Sequence, residues 1–420
     1  MPVPDEDDAP VSEGDPPEGR ASGARRRRWP RRLAIGLAGV VLLAAAGIGT
    51  GYWYVRHELN SVKHFSNKQT THLSKPAPPG MPENVLLVGS DSRGCVGKSA
   101  YHEVGNPAIQ TGQRSDTIIV VRLVPATNSV VMLSIPRDTV VPIPVTGGSN
   151  KINSAFNSGP NQLIETIEDD FHLPINHVVV ANFCGFTDVV NALGGIYLDF
   201  PDRARDFETG LRVHTTGCQL VGGVAALQLV RSRYYEYYSD GVWNNDGMSD
   251  WSRIRRQQAF FHAVLDRVHA ESLNIFAMTK LLGAVVKDVT VDRTLTSNDM
   301  LSLALHYRHF SSSQLETLVL PTVEGYIDGA DGISPAVPQA GEVLADFLKF
   351  GAPTTTTVPR TTTTTTTGVS GSSGATSTTT STATATTQPA VPTTTSPQNE
   401  VVLDTPKTLN EPWNPVPCSP

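Results

Sequence analysis

The stretch Arg114–Asp138, RSDTIIVVRLVPATNSVVMLSIPRD, reads as two apolar strands joined by the turn Pro125-Ala126-Thr127-Asn128. With that turn, Val124 faces Ser129, and pairing outward at a constant index sum sets Asp116 opposite Arg137 at the open end. Ile118 to Val121 on one arm and Val130 to Leu133 on the other are too continuous to alternate with water. They predict strands buried on both faces. A carboxylate and a guanidinium side by side at the rim of a buried sheet suit a metal and an anion. The same pair is also consistent with a structural ion pair that closes the hairpin.

Upstream, Asn84-Val85-Leu86-Leu87-Val88-Gly89 is a short buried strand that ends at the polar run Ser90-Asp91-Ser92-Arg93. Gly97-Lys98-Ser99 resembles the end of a phosphate-cradling P-loop, but the position of its first glycine holds Ser92, so no nucleotide site is expected. Residues 56–82 end in KPAPPGMP and read as a spacer. Before them Leu33–Val55 runs 23 residues without a formal charge, long enough to cross a bilayer. The preceding Arg25-Arg26-Arg27-Arg28-Trp29-Pro30-Arg31-Arg32 predicts a cytoplasmic N-terminus, and Tyr52, Trp53 and Tyr54 sit where interfacial aromatics belong. The expected protein is therefore a single-pass membrane protein whose remainder lies outside the cytoplasm. A cleaved signal peptide is disfavoured by the length of the apolar run and the lack of a clear cleavage site. The adjacent span accounts for the arginines, so no nucleic-acid partner is expected. Residues 1–32 carry too few large apolar side chains to fold.

Downstream, Lys151-Ile152-Asn153-Ser154-Ala155-Phe156 leads to a helix over 160–171, a strand at 178–180, a helix over 186–193 and a strand at 196–200. Such alternation implies an α/β fold, with helices on both faces of a mixed sheet. Gly222 to Val230 suits a helix, and Arg231-Ser232-Arg233 follows, both arginines pointing one way if the segment is extended. Residues 234–249, YYEYYSDGVWNNDGMS, form an aromatic polar loop that either contacts a carbohydrate or caps the fold. Asp250 or Ser252 then caps a helix in which Arg253, Arg256, Gln257, Phe260 and Val264 share one stripe. Arginines in a first turn work against the helix dipole, so the fold gives no reason for them there and a bound anion would. Helices at 272–287, 297–309 and 338–350 and a strand at 315–320 complete the domain.

The 420 residues, 39% hydrophobic and 17% charged, accommodate one globular domain, placed at 83–350, with 31 prolines and a threonine tract taking residues from it. Residues 351–420 read as a Thr/Ser/Pro-rich disordered tail, of the kind that is O-glycosylated or threads a wall. The four cysteines, Cys95, Cys184, Cys218 and Cys418, show neither CxxC nor His spacing, which argues against zinc. One disulfide is possible outside the cytoplasm, its pairing undetermined.

Taken in order, NVLLVGSDSR at 84–93, RSDT at 114–117, SIPRD at 134–138, KINSAF at 151–156, FCGF with LGGI at 183–196, LQLVRSR at 227–233 and DWSRIRRQQ at 250–258 resemble the LytR-CpsA-Psr family of envelope proteins, in its actinobacterial form. Two departures are Cys184, where a polar or acidic residue is usual, and the extra segment between Asp91 and Arg114. The resemblance implies a three-layer α/β/α domain holding a polyprenyl diphosphate, its lipid in an apolar tunnel and its diphosphate among arginines with Mg²⁺. It implies Asp91 and Asp116 as the magnesium carboxylates. Arg93, Arg114, Arg137, Lys151, Arg231, Arg233, Arg253, Arg256 and Gln257 would surround the phosphates. The implied reaction moves a phosphoglycosyl polymer (arabinogalactan, teichoic acid or capsule, with the first favoured by actinobacterial analogy) from its lipid carrier to a peptidoglycan hydroxyl. Phosphoryl transfer needs charge neutralisation on non-bridging oxygens and a base near the acceptor. Asp91 is the candidate base, or else only a metal ligand while phosphate or solvent takes the proton. A non-catalytic polymer-binding or sensing protein and a lipid diphosphate hydrolase are the competing readings.

Overall fold

The computed structural model describes residues 46, 49–92, 114–272, 274–327, 330–351 and 412–419. The hairpin is as expected: Ser115–Val124 pairs antiparallel with Ser129–Ser134, in register from Val124↔Ser129 to Ile119↔Ser134. Its pleat sends Ile118, Val120, Val131 and Leu133 to one face and Ile119, Val121, Val130 and Met132 to the other, and both faces are buried. The first face packs on Leu163, Ile164 and Ile167 of the helix Pro160–Phe171 and on Phe347 of the helix Gln339–Lys349. The second packs on Phe261 and Leu265 of the long helix Asp250–Glu271. This makes three layers. Each fully buried Leu or Ile contributes about 2 kcal/mol, so the sheet is the rigid base on which the charged residues stand.

The hairpin lies near one end of a seven-stranded mixed sheet, ordered Lys63–His64, Val289–Val291, His177–Ala181, Glu83–Ser90, Ser115–Val124, Ser129–Ser134, Leu315–Val319. Beside it stand a four-stranded sheet (Leu211–Val213, Arg203–Asp206, Glu236–Ser239, Val242–Asn245) and a three-stranded one (Gly217–Val221, Ile196–Phe200, Val416–Pro417).

Several expectations change. Residues 56–82 are more than a spacer: Lys63–His64 adds a strand to the sheet, and Leu59 and Val62 are buried against Val289, Val291 and Leu295. The aromatic stretch 234–249 is a hairpin, because Asp240 and Gly241 take the left-handed conformations that a two-residue turn requires. The long helix is preceded by Ser249 rather than capped by Asp250 or Ser252. The far end of the 351–420 tail is ordered: Val416 and Pro417 pair with Asp199 and Leu198, and Cys418 is disulfide-bonded to Cys218. Cys184 is also disulfide-bonded, its partner lying outside the described residues, so the single bridge expected was too few.

The chain divides into two units at Tyr54/Val55. In the first, residues 46 and 49–54 are helical. Among the described residues no helix is long and apolar enough to cross a membrane, and most of Leu33–Val55 lies outside them. Residues 1–32, Arg93, Cys95, Gly97-Lys98-Ser99 and the threonine tract also lie outside them.

Candidate functional site

Pro136 ends the hairpin ladder, yet the last backbone bond, Ile135 N to Ile118 O at 2.9 Å, keeps the arms together long enough for Arg137 to reach Asp116 at 2.5 Å. From the other side comes the first turn of the long helix, with Arg253 donating to Asp250 at 3.0 Å. Asp250 also lies 3.6 Å from Arg137 and 2.7 Å from Arg233. One carboxylate is thus shared by three guanidiniums. Asp138 is the second hub, 3.7 Å from Arg137, 3.8 Å from Arg233 and 3.1 Å from Lys151.

Arg137, Arg231, Arg233 and Arg253 line one cavity of about 250 Å³, together with Asp116, Thr117, Gln257, Glu208, Thr209, Val230 and Tyr234. Four guanidiniums therefore face two carboxylates across it. Arg231 ends the helix Gly223–Arg231 with its guanidinium over the Phe183 ring at 4.4 Å, and Ser232 turns extended, so Arg231 and Arg233 reach the same space. Gly223 allows this placement, because a Cβ there would collide with the Thr187 carbonyl of the neighbouring helix. Gln257 donates to Thr117 Oγ1 and to the Val230 carbonyl, both at 3.1 Å, tying the long helix to the hairpin and to the arginine-bearing helix.

The electrostatics differ between two of these arginines. Burial disfavours charge on Arg137, but Asp116, Asp250 and Asp138 more than offset it, and its pKa is raised. Arg253, 3% exposed, is pushed by burial down to about 10, with Asp250 opposing only in part. Its buried Nε has no hydrogen-bond partner among the described residues. An oxyanion in the cavity would supply the missing charge and acceptor.

The LytR_cpsA_psr family model matches residues 52–346. The chain belongs to the LytR-CpsA-Psr family. Its LytR-CpsA-Psr domain is 33% identical over 221 residues to the polyisoprenyl-teichoic acid–peptidoglycan teichoic acid transferase TagV of Bacillus subtilis, an alignment spanning 51% of this chain and 53%, about half, of that relative. It is 31% identical over 286 residues to the TagU transferase of Enterococcus faecalis, covering 66% of this chain and 82% of that protein. Identity to the probable cell wall biosynthesis protein LcpB of Corynebacterium glutamicum is 30%, over 66% of this chain and 63% of that one. The crystal structure of Bacillus subtilis TagV superposes with a TM-score of 0.51 at 27% identity, over 65% of this chain and 98% of that chain.

Not every residue expected at the phosphate site of the LytR-CpsA-Psr domain reaches the cavity. Arg256 is a correction: 1% exposed, it donates at 2.9 Å to both Asp246 and Asn414 and at 2.8 Å to the Ser232 carbonyl, with the Tyr235 ring beneath it. It fixes the backbone between Arg231 and Arg233 and does not line the cavity. Lys151 is one step removed, paired to Asp138. Arg114 and Asp91 face each other at the sheet end, with Arg114 N donating to Asp91 Oδ1 at 2.8 Å and Asp91 N to Arg114 O at 3.1 Å. Neither lines the cavity described above. Asp91 follows Glu83–Ser90 and Asp116 lies in its antiparallel neighbour, where Gly89 pairs with Thr117. Among the described residues no three His, Cys, Asp or Glu side chains gather as a metal cage. Mg²⁺ takes few protein ligands, carboxylates by preference, and completes its shell with phosphate oxygens and water, so Asp91 and Asp116 are the residues that would hold it.

Asp138 and Asp250, the carboxylate hubs, are not among the site residues expected from sequence, although SIPRD and DWSRIRRQQ each carry an aspartate beside arginines. The Asn414 contact had no sequence signal.

Proposed function

We propose that the LytR-CpsA-Psr domain transfers a glycopolymer from a polyprenyl diphosphate carrier to a hydroxyl of peptidoglycan. Support comes above all from the four guanidiniums of Arg137, Arg231, Arg233 and Arg253 that line one cavity, where the buried Arg253 Nε lacks an acceptor among the described residues; an anion with several oxygens would meet them. The activities named for the relatives point the same way. The diphosphate sits in the cavity, with Arg137, Arg231, Arg233 and Arg253 donating to its non-bridging oxygens. The acceptor oxygen forms a bond to the sugar-side phosphorus, and the bond from that phosphorus to the bridging oxygen breaks. Polyprenyl phosphate leaves, and the hydroxyl proton passes to Asp91 or, where Asp91 holds a metal, to phosphate or solvent. Asp91 and Asp116 would hold Mg²⁺, which supplies Lewis-acid neutralisation of the phosphate oxygens when bound. The lipid chain runs toward the apolar side chains between sheet and long helix. Leu33–Val55 anchors the chain in the membrane, with the N-terminus cytoplasmic and the domain outside.

The test incubates the full-length protein in lipid with a polyprenyl diphosphate-linked glycopolymer, peptidoglycan fragments and Mg²⁺, followed by mass analysis. Polymer joined to the fragments is expected, with Arg137→Ala lowering its rate about a hundred- to a thousand-fold while melting is retained. Donor binding without product would establish a sensing protein, and free phosphorylated polymer a hydrolase. Either would sink the transfer reading.

A further inference from the structure

We propose that the outer face of the four-stranded sheet is a binding track for an anionic glycopolymer, the chain borne by the donor. The track leads from the arginine cavity to a second cavity at Arg203 and Tyr238. This rests on the transfer reading and names its substrate class.

The strand Arg203–Asp206 turns Ala204 and Asp206 inward, where both are 1% exposed, and Arg203 and Arg205 outward. Outward with them stand Tyr238, paired in register with Arg203, and Arg212, paired with Arg205. Two arginines directly opposite each other weaken a sheet, so the fold gives no reason for this pairing. Each guanidinium lies over a ring: Arg203 over Tyr238 at 4.0 Å, Arg205 over Trp243 at 4.0 Å, and Arg212 over the exposed Phe207 at 5.5 Å. Stacking occupies the flat face of a guanidinium and holds it still, while its N–H edge stays free for an oxyanion. Arg205 gives that edge to Glu236. Arg203 and Arg212 are exposed, and neither has a hydrogen bond or ion pair to any described residue.

The same strands touch both cavities. Glu208 and Thr209, just beyond Asp206, line the arginine cavity, as does Tyr234, just before Glu236–Ser239. Arg203 and Tyr238 line the second, a space of about 410 Å³ with His214, Thr215 and Thr216. From Arg203 to Asp206 the strand rises about 10 Å, the length of a few sugar residues at most. Rings and threonine hydroxyls suit a saccharide, and the two unmatched cations suit one that carries phosphate or carboxylate. A neutral polymer would leave both arginines without a counterpart.

The test uses the full-length protein, an Arg203→Gln/Arg212→Gln variant and, as a control for the same change in net charge, Arg308→Gln/Lys349→Gln. Titration with a soluble poly(glycerol phosphate) chain lacking any lipid should show binding that rising salt weakens. Affinity should fall about five- to ten-fold in the double variant and stay unchanged in the control. Turnover of a short donor, a disaccharide on polyprenyl diphosphate, should be the same in all three. Equal polymer affinity in wild type and double variant, or stronger binding of dextran or of peptidoglycan fragments than of the polyphosphate, overturns the track. Should wild type bind the polymer through these arginines yet fail to turn over the short donor, the track stands and the transfer reading falls.

Discussion

Arg253 and Arg256 lie three positions apart on one helix and do opposite work. Both are buried, but Arg256 meets Asp246, Asn414 and a backbone carbonyl, whereas Arg253 shares Asp250 with two other arginines. Helical periodicity puts both on the inward stripe and says nothing about partners, which is why the sequence marked both as phosphate ligands. Arg253→Lys is expected to keep the fold, since a cation remains beside Asp250, and to lower turnover about a hundred-fold through loss of the planar fork. Arg256→Ala, by contrast, strands Asp246 in the interior and should cost about 3–5 kcal/mol in chemical denaturation. The pair Asp116–Arg137 was legible from a turn and an index sum, because a hairpin converts local sequence into contact. Away from the site, burial and then the neighbouring Asp169 raise Asp170 to about 6. Its folded value lies above the ordinary 3.8, so ionising it works against folding. This penalty grows as pH rises through that window, so Asp170→Asn should raise Tm at about pH 7.5 and leave it unchanged below about pH 3.5.

At the level of elements, the runs that alternate strand with helix between 84 and 200 were readable because each is long, apolar and bounded by turn residues. The short strands of the four-stranded sheet were not. Arg203–Asp206 and Glu236–Ser239 are four residues each, with polar side chains on their outer face, so their pairing is specified by the sheet partner rather than by hydrophobic period. The helix Gly223–Arg231 carries the sharpest element-scale prediction. Gly223→Ala sets a methyl against the Thr187 carbonyl, and neither helix backbone can yield locally. A loss of about 1–3 kcal/mol by thermal melting is expected. A steeper fall in turnover should accompany it, because the far end of the displaced helix is Arg231.

For the whole molecule, the domain is bounded differently from the sequence reading. It takes in residues from Val55 onward and the segment 412–419, so a fragment cut to 83–350 lacks a sheet strand at one end and Asn414 at the other. Trp413 stacks on Tyr237 at 5.0 Å, and Asn414 accepts from Arg256, beside the backbone that joins Arg231 to Arg233. Composition hid this, because a threonine tract marks its surroundings as unfolded while eight residues after it carry the contacts. Asn414→Ala is expected to lower stability by about 1–3 kcal/mol, the cost of one unsatisfied buried donor on Arg256, and to raise KM for the lipid-linked donor more than it lowers kcat. Calorimetry together with steady-state kinetics checks both.

Because Cys218 and Cys418 are joined across a sequence separation of 200, the bridge closes a covalent ring through every residue between them, the threonine tract included. A protease that cuts anywhere inside that tract therefore opens a ring instead of shedding a fragment. The nicked protein should run as one species without thiol and as two with it, and its terminal peptide should stay docked until the bridge is reduced.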